Sequence, residues 1–245
     1  MYLQVILASM AGGVLSLVGG VLLLWKENIA RSFSLNLLSF AAGSMISAAF
    51  LELIPESIEI SGYSKVGVFV VIGILAMFLF ERTITWYHCH DREHCNIHTF
   101  SGPVILGDTI HNFIDGIAIA LSFAAGPAVG VATTIAIFFH EIPQEIGDFG
   151  VLLHAGYSKR KVLFYNFLSA CASILGAVLG LLLLPYIEPA LGLSLAFAAG
   201  VFIYVAISDL LPELRHEAPH KDIWHILALV LGVVIVWAVG MFVHE

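Results

Sequence analysis

The chain has 245 residues, of which 60% are hydrophobic and only 11% charged, with a mean hydropathy of +0.97 and a formal net charge of −8. Soluble domains carry about 25% charged residues, so this composition excludes an ordinary soluble enzyme and leaves an all-α integral membrane protein. No nucleic-acid partner is expected, and because several acids fall inside apolar runs the net charge says little about soluble partners.

A hydrocarbon core about 30 Å thick is crossed by about 20 apolar residues of helix. The sequence offers eight such runs, at 3–24, 34–57, 66–86, 103–125, 128–154, 161–184, 190–213 and 223–243. The first run has no basic leader before it, since Lys26 follows it, and reads as a retained span rather than a cleaved signal. Cytoplasmic loops collect Lys and Arg. Lys26, Arg31, Arg82, Arg92, Lys159, Arg160, Lys161, Arg215 and Lys221 all fall in loops of one side, and only Lys65 falls on the other. Eight spans and this charge bias agree on both termini being extracytoplasmic, in a multi-pass protein whose partner is the lipid bilayer. Almost nothing is left over for a soluble domain, so 1–245 reads as a single transmembrane domain.

Two segments repeat. "FAAGSMISAAFLELIPE" from Phe40 and "FAAGVFIYVAISDLLPE" from Phe197 align without a gap, with Glu52 opposite Asp209 and a shared closing Pro-Glu. Span two runs outward and span seven inward, which makes this an inverted repeat of the kind that organises transporters. It relates helices 1–3 (about 1–86) to helices 6–8 (about 159–245) and leaves helices 4–5 (about 103–154) as a central pair, a 3+2+3 bundle.

The central pair concentrates the polar residues. Asp108, His111, Asn112 and Asp115 share one helical face of span four, and His140, Glu141, Gln144, Glu145 and Asp148 form a stripe on span five. An ionisable group at the bilayer centre costs about 2.5–3.5 kcal/mol, so two such stripes are expected to face one another around a compensating cation. Imidazole nitrogen with carboxylate oxygen suits a divalent first-row metal, zinc above all, and the lack of Cys argues against copper(I). His111, Asp115, His140 and Glu141 are the expected ligands. Asn112 and Gln144 are weaker ones, with Asp108, Glu145 and Asp148 supporting them or linking the helices.

"GDTIHNFIDGIAIA" and "HEIPQEIGDFGVLLHAGYS" closely resemble the fourth and fifth spans of the ZIP (Zrt-, Irt-like protein) zinc transporters, in the branch whose fifth span reads H-E-x-P-H-E-x-G-D. The resemblance implies eight spans, outward termini, a cell-membrane location, a homodimer, and passage of zinc, in some members iron, manganese or cadmium, into the cytoplasm. It further implies a binuclear centre built from His111, Asn112, Asp115, His140, Glu141 and residue 144, with Asp209 as a further acidic ligand. Position 144 is Gln here where relatives carry His or Glu, and a neutral amide binds a dication more weakly.

The cytoplasmic loop at 87–100 contains His88, Cys89, His90, His94, Cys95 and His98, a metal-binding tract whose spacing is not that of a zinc finger. It reads as an acceptor or sensor of released metal. Glu52, with Glu56 and Glu59 behind it, reads as an outer approach, and Glu213, His216, Glu217 and His220 lie where metal would leave. Pro55, Pro143 and Pro212 each remove a helix hydrogen bond, and Pro143 is expected to interrupt span five. Two other functions compete. His140 and Glu141 begin the H-E-x-x-H pattern of a zinc hydrolase, which fails at Gln144, and buried acids also serve proton-coupled antiporters.

Overall fold

The computed structural model describes residues 1–88, 97–212 and 222–243, apart from the side chains of 27–35, 84–88, 97–104, His154, Asp209, Asp222, 242 and 243. Among the described residues all regular structure is helical. Helix α1 (Tyr2–Ser9) passes through a π segment (Met10–Val14) and a 3-10 turn (Leu15–Leu17) into α2 (Val18–Trp25). Helix α3 (Glu27–Ser47) passes through a π segment (Ala48–Leu53) into α4 (Ile54–Ser61). Then follow α5 (Tyr63–His88), α6 (Ile97–Ala125), α7 (Pro127–His154) and α8 (Lys159–Ile187). Helix α9 (Leu191–Tyr204) runs on as a third π segment (Val205–Leu210), and α10 spans Asp222–Val243.

Local chemistry sets the breaks. Gly62, at φ 77°, ends α4 in the left-handed region that costs glycine no Cβ clash, and its N–H reaches the Ile58 carbonyl at 2.8 Å. Pro127 opens α7, where a missing N–H goes unmissed. Inside α7, Pro143 does not interrupt the helix as its sequence suggests; the helix is continuous from Pro127 to His154. One proline removes a single hydrogen bond, and the packed turns on either side hold the axis together.

The π segments respond differently to proline. Each of the two later ones starts eight residues after the Phe that opens its repeat copy, Phe40 or Phe197, and ends two residues before Pro55 or Pro212. Those prolines cannot donate to Leu51 and Ser208, which lie inside the π segments, so the turn widens there.

Glycines mark where helices touch. A Cβ on Gly43 would strike the Leu229 carbonyl and one on Gly232 the Phe40 carbonyl, joining α3 to α10. A Cβ on Gly200 would strike the Val70 carbonyl and one on Gly73 the Phe197 carbonyl, joining α9 to α5. Gly116 and Gly176 do the same between α6 and α8, against the carbonyls of Ser173 and Phe113. Such small-residue contacts let helix backbones approach where lipid gives no hydrophobic drive.

Five helical segments among the described residues are long and apolar enough to cross a membrane: Tyr2–Trp25, Asn36–Ser61, Tyr63–Thr83, Lys159–Ser208 and Ile223–Met241. Of these Asn36–Ser61 is 72% buried, against 11% for Tyr63–Thr83 and 22% for Ile223–Met241, so α5 and α10 form the outer wall with apolar faces turned out. Helices α6 and α7 are not among the five, and they carry most of the buried ionisable residues: Asp108, His111, Asp115, His140, Glu141 and Glu145. The protein is therefore an all-α membrane protein with its polar chemistry inside a lipophilic shell.

Candidate metal centre

The centre is built where α6 and α7 run side by side in opposite directions. His111 meets His140 while Asp108, one turn earlier on α6, meets Gln144, one turn later on α7. The i, i+3 and i, i+4 spacing on each helix therefore converts into two facing stripes. Pairing follows from burial: His140, Glu141 and Glu145 are fully buried, Asp115 is 2% exposed and His111 8%. The centre is thus largely closed to solvent, with His111 its most exposed member.

Four ligand atoms converge. His111 Nε2 lies 3.0 Å from His140 Nε2, 3.5 Å from Glu141 Oε1 and 3.7 Å from Asp115 Oδ2. His140 Nε2 lies 3.2 Å from Asp115 Oδ2 and 3.4 Å from Glu141 Oε1. One ligand atom from each of the four residues falls within 4.8 Å of every other. Zinc bonds of about 2.0–2.2 Å in a tetrahedron put neighbouring ligand atoms about 3.3 Å apart, and the five distances scatter closely around that edge. The imidazole rings stand at 89° with centroids 5.3 Å apart, so they approach from two directions rather than stacking.

The tautomer of His140 is fixed from behind. Its Nδ1 lies 3.2 Å from the Ala136 carbonyl, which can only accept, so Nδ1–H donates and Nε2 turns its lone pair toward the cluster. Asp115 Oδ2 and both carboxylate oxygens of Glu141 have no hydrogen-bond donor. Two imidazole nitrogens facing acceptors of this kind are the donor set of a dication such as zinc.

The other expected ligands fall in three groups. Asn112 Nδ2 donates to Asp108 Oδ1 at 3.0 Å and to the Asp108 carbonyl at 3.2 Å, and Gln144 Nε2 donates to Asp108 Oδ1 at 3.2 Å. Both amides thus flank the four-ligand cluster and spend their nitrogens on Asp108. Glu145 and Asp148 lie further along α7 with buried oxygens. Glu52 lies elsewhere, buried with its carboxylate against Gly240 of α10. The side chains of Asp209, His88 and His98, all of His90, His94, Cys89 and Cys95, and Glu213, His216, Glu217 and His220 lie outside the described residues.

Two features carry no sequence signal of their own. One is the Ala136 carbonyl, a backbone acceptor. The other is an apolar cavity of about 640 Å³ between α5, α6 and α9, lined by Ile72, Met77, Ile117, Phe197 and Phe202, with Asp115 its one charged lining residue. Asp115 therefore stands between the cluster and a hydrocarbon wall.

The profile of the ZIP zinc transporters matches residues 88–240. Among curated proteins, Zinc transporter ZIP10 of Mus musculus is 41% identical over 138 residues, covering 55% of this chain and 17% of its own length. Metal cation symporter ZIP14 of Danio rerio is 42% identical over 136 residues, covering 56% of this chain and 27% of its own. Zinc transporter ZIP13 of Pongo abelii is 31% identical over 225 residues, covering 85% of this chain and 67% of its own. The matched part of the chain thus spans about a sixth of the ZIP10 protein and two thirds of ZIP13. With the profile matching more than half of the sequence, the chain belongs to the ZIP zinc transporter family.

Proposed function

We propose that this chain carries a divalent metal, zinc first, through the membrane into the cytoplasm, and that the cluster of His111, Asp115, His140 and Glu141 is the station at which the ion sheds its water. The observation that carries this reading is the convergence of two nitrogens and two oxygens, all within 4.8 Å of one another, on buried helices whose carboxylates have no other donor. The names of the relatives, two of them zinc transporters and one a metal cation symporter, support transport rather than hydrolysis and support a substrate range beyond zinc. Gln144, at the second-His position of a zinc hydrolase, spends its nitrogen on Asp108, so nothing in the site favours an enzyme.

The bundle is read as eight crossings in a 3+2+3 inverted repeat with both termini extracytoplasmic, in a homodimer. What supports the repeat is the matched register of the π segments at Ala48–Leu53 and Val205–Leu210, together with the paired contacts of Gly43 and Gly232 and of Gly200 and Gly73. Alternating access follows from motion of the central helices against the repeat scaffold. Helix α6 is locked to α8 by backbone contact at Gly116 and Gly176 but faces α5 and α9 across the apolar cavity, which gives it a loose side to move along. Asn112 and Gln144 accompany the ion as flanking amides, and the tract His88, His90, His94 and His98 receives it at the cytoplasmic side.

The test is uptake into sealed vesicles holding an interior zinc dye, comparing wild type with His111→Ala and Asp115→Ala. Each variant is expected to lose at least nine tenths of the initial rate while still eluting as a folded protein. Equal uptake in all three refutes the path.

A further inference from the structure

Ligands drawn from two helices make one centre only while the helices keep their register. Zinc–ligand lengths vary by about 0.2 Å, whereas a slip of one residue between α6 and α7 displaces every facing pair by about 1.5 Å. Within the cluster the two helices are joined by the ligands themselves: His111 against His140 and Glu141, and Asp115 against His140. An ion entering the cluster rearranges those contacts, and Asp115 Oδ2 and both Glu141 carboxylate oxygens have no hydrogen-bond donor to hold them in place. The register has to be held by groups outside the ligand set.

One polar link has that character. Gln144 Nε2 donates to Asp108 Oδ1 at 3.2 Å, and among the described residues this is the one side-chain hydrogen bond from α6 to α7 that uses no member of the four-ligand cluster. It lies about one turn from the His111 and His140 pair on both helices. Asp108 is braced from its own helix, since Asn112 Nδ2 donates to the same Oδ1 at 3.0 Å and to the Asp108 carbonyl at 3.2 Å. With Asp108 and Asn112 both buried, water has little access to these bonds. A carboxylate only accepts, so both amides must turn their nitrogens to it, and hydrogen bonds to a charged acceptor are about twice as strong as neutral ones. Past the other end of the cluster the helices are pinned by packing, because a Cβ on Gly130 of α7 would strike the Phe123 ring of α6. The four ligands therefore sit between two fixed points.

We propose that Asp108 and Gln144 are positioning residues, a clasp that sets the register of α6 against α7 so that His111, Asp115, His140 and Glu141 converge before the ion arrives. Gln144, expected from the sequence as a weak ligand, holds a helix instead of the ion. This deepens the transport reading and rests on it for taking the cluster as the ion's station. Groups that orient metal ligands from outside typically cost 10–100-fold in affinity when removed. Breaking the clasp takes away no ligand atom, so affinity falls while the coordination is kept. Because both residues act through one bond, breaking it from either side has the same effect, and breaking it from both adds little.

The test measures zinc affinity of the purified full-length chain in detergent by competition with a chromogenic chelator, with Co²⁺ absorption at saturation reporting the ligand set. Gln144→Leu and Asp108→Ala are each expected to weaken zinc binding at least tenfold and to keep the saturated Co²⁺ spectrum of wild type. The double variant is expected to bind within threefold of the weaker single variant. The proposal is overturned if either single loss is smaller than tenfold, if the double variant loses more than a further threefold, or if Gln144→Leu shifts the Co²⁺ spectrum, which would make Gln144 a ligand. Should either variant not elute as a single folded species, Asp108→Asn and Gln144→Ala take their places with an expected loss of at least threefold each, and a smaller loss overturns the proposal. The transport reading fails separately, by absence of zinc uptake in wild-type vesicles.

Discussion

His140 is the most constrained residue of the centre: fully buried, with one ring nitrogen donating to the Ala136 carbonyl and the other aimed at three partners. A ring held this way cannot rotate to meet a ligand, so the geometry is set before the ion arrives. Gln144 shows the same economy in another form. Its amide donates to Asp108 rather than presenting a charge, and replacing it by Glu removes a hydrogen bond to a carboxylate and sets a second acid beside it. Gln144→Glu is expected to lower metal-free stability by about 1.5–3 kcal/mol, with saturating zinc restoring more of the melting temperature than it adds to wild type; thermal unfolding in chelator and in zinc measures both. At this scale the sequence was informative because side-chain spacing maps directly onto helix faces: His111, Asp115, His140 and Glu141 were readable as a facing set. Ala136 was not, since its contribution is a backbone carbonyl and its identity says nothing of it. The pairing of Asn112 and Gln144 with Asp108 was also hidden, because it depends on the relative height of two helices.

Among the elements, the consequences of proline divide. Pro55 and Pro212 sit just beyond π segments at matched register, while Pro143 sits inside an unbroken helix. The loss of a donor was legible at all three; whether a helix widens or carries on is decided by packing on either side, which no local pattern records. Close helix contacts give a test of the repeat. Gly43→Val and Gly200→Val place a branched side chain against the Leu229 and Val70 carbonyls, and each is expected to cost about 1–3 kcal/mol by overpacking. Similar losses of melting temperature from the two are the expected outcome, and a large loss from one alone would speak against equivalent roles. The cavity beside Asp115 gives another. Ala76→Phe, on the α5 side of the cavity, fills part of it from a helix that carries no ligand, and it is expected to leave zinc affinity within twofold while cutting vesicle uptake several-fold, because the loose face of α6 is then packed.

For the molecule as a whole, the polar interior sits behind an apolar shell in which α5 and α10 turn outward. Lipid rather than water is the solvent of that shell, so the buried acids must be balanced internally. Orientation can be measured directly. In a background without Cys89, Cys95 and Cys171, Ser158→Cys, exposed between α7 and α8, is expected to react with a membrane-impermeant thiol reagent only in opened cells. Glu188→Cys, exposed between α8 and α9, is expected to react in intact cells. The reverse pattern would invert the direction of transport. The membrane class was legible from composition alone; the sharing of space between α6 and α8, or α6 and the cavity, was not, because packing between distant segments leaves no periodicity in either.

The account turns on four side chains from two antiparallel helices holding one dication, and X-ray absorption at the zinc edge tests that most directly. The purified protein loaded with one equivalent of zinc is expected to show four-coordinate metal with two imidazole nitrogens and oxygen ligands at about 2.0–2.2 Å, and the imidazole scattering is expected to fall in His111→Ala and again in His140→Ala. A zinc spectrum without imidazole, or one unchanged by both substitutions, would contradict it.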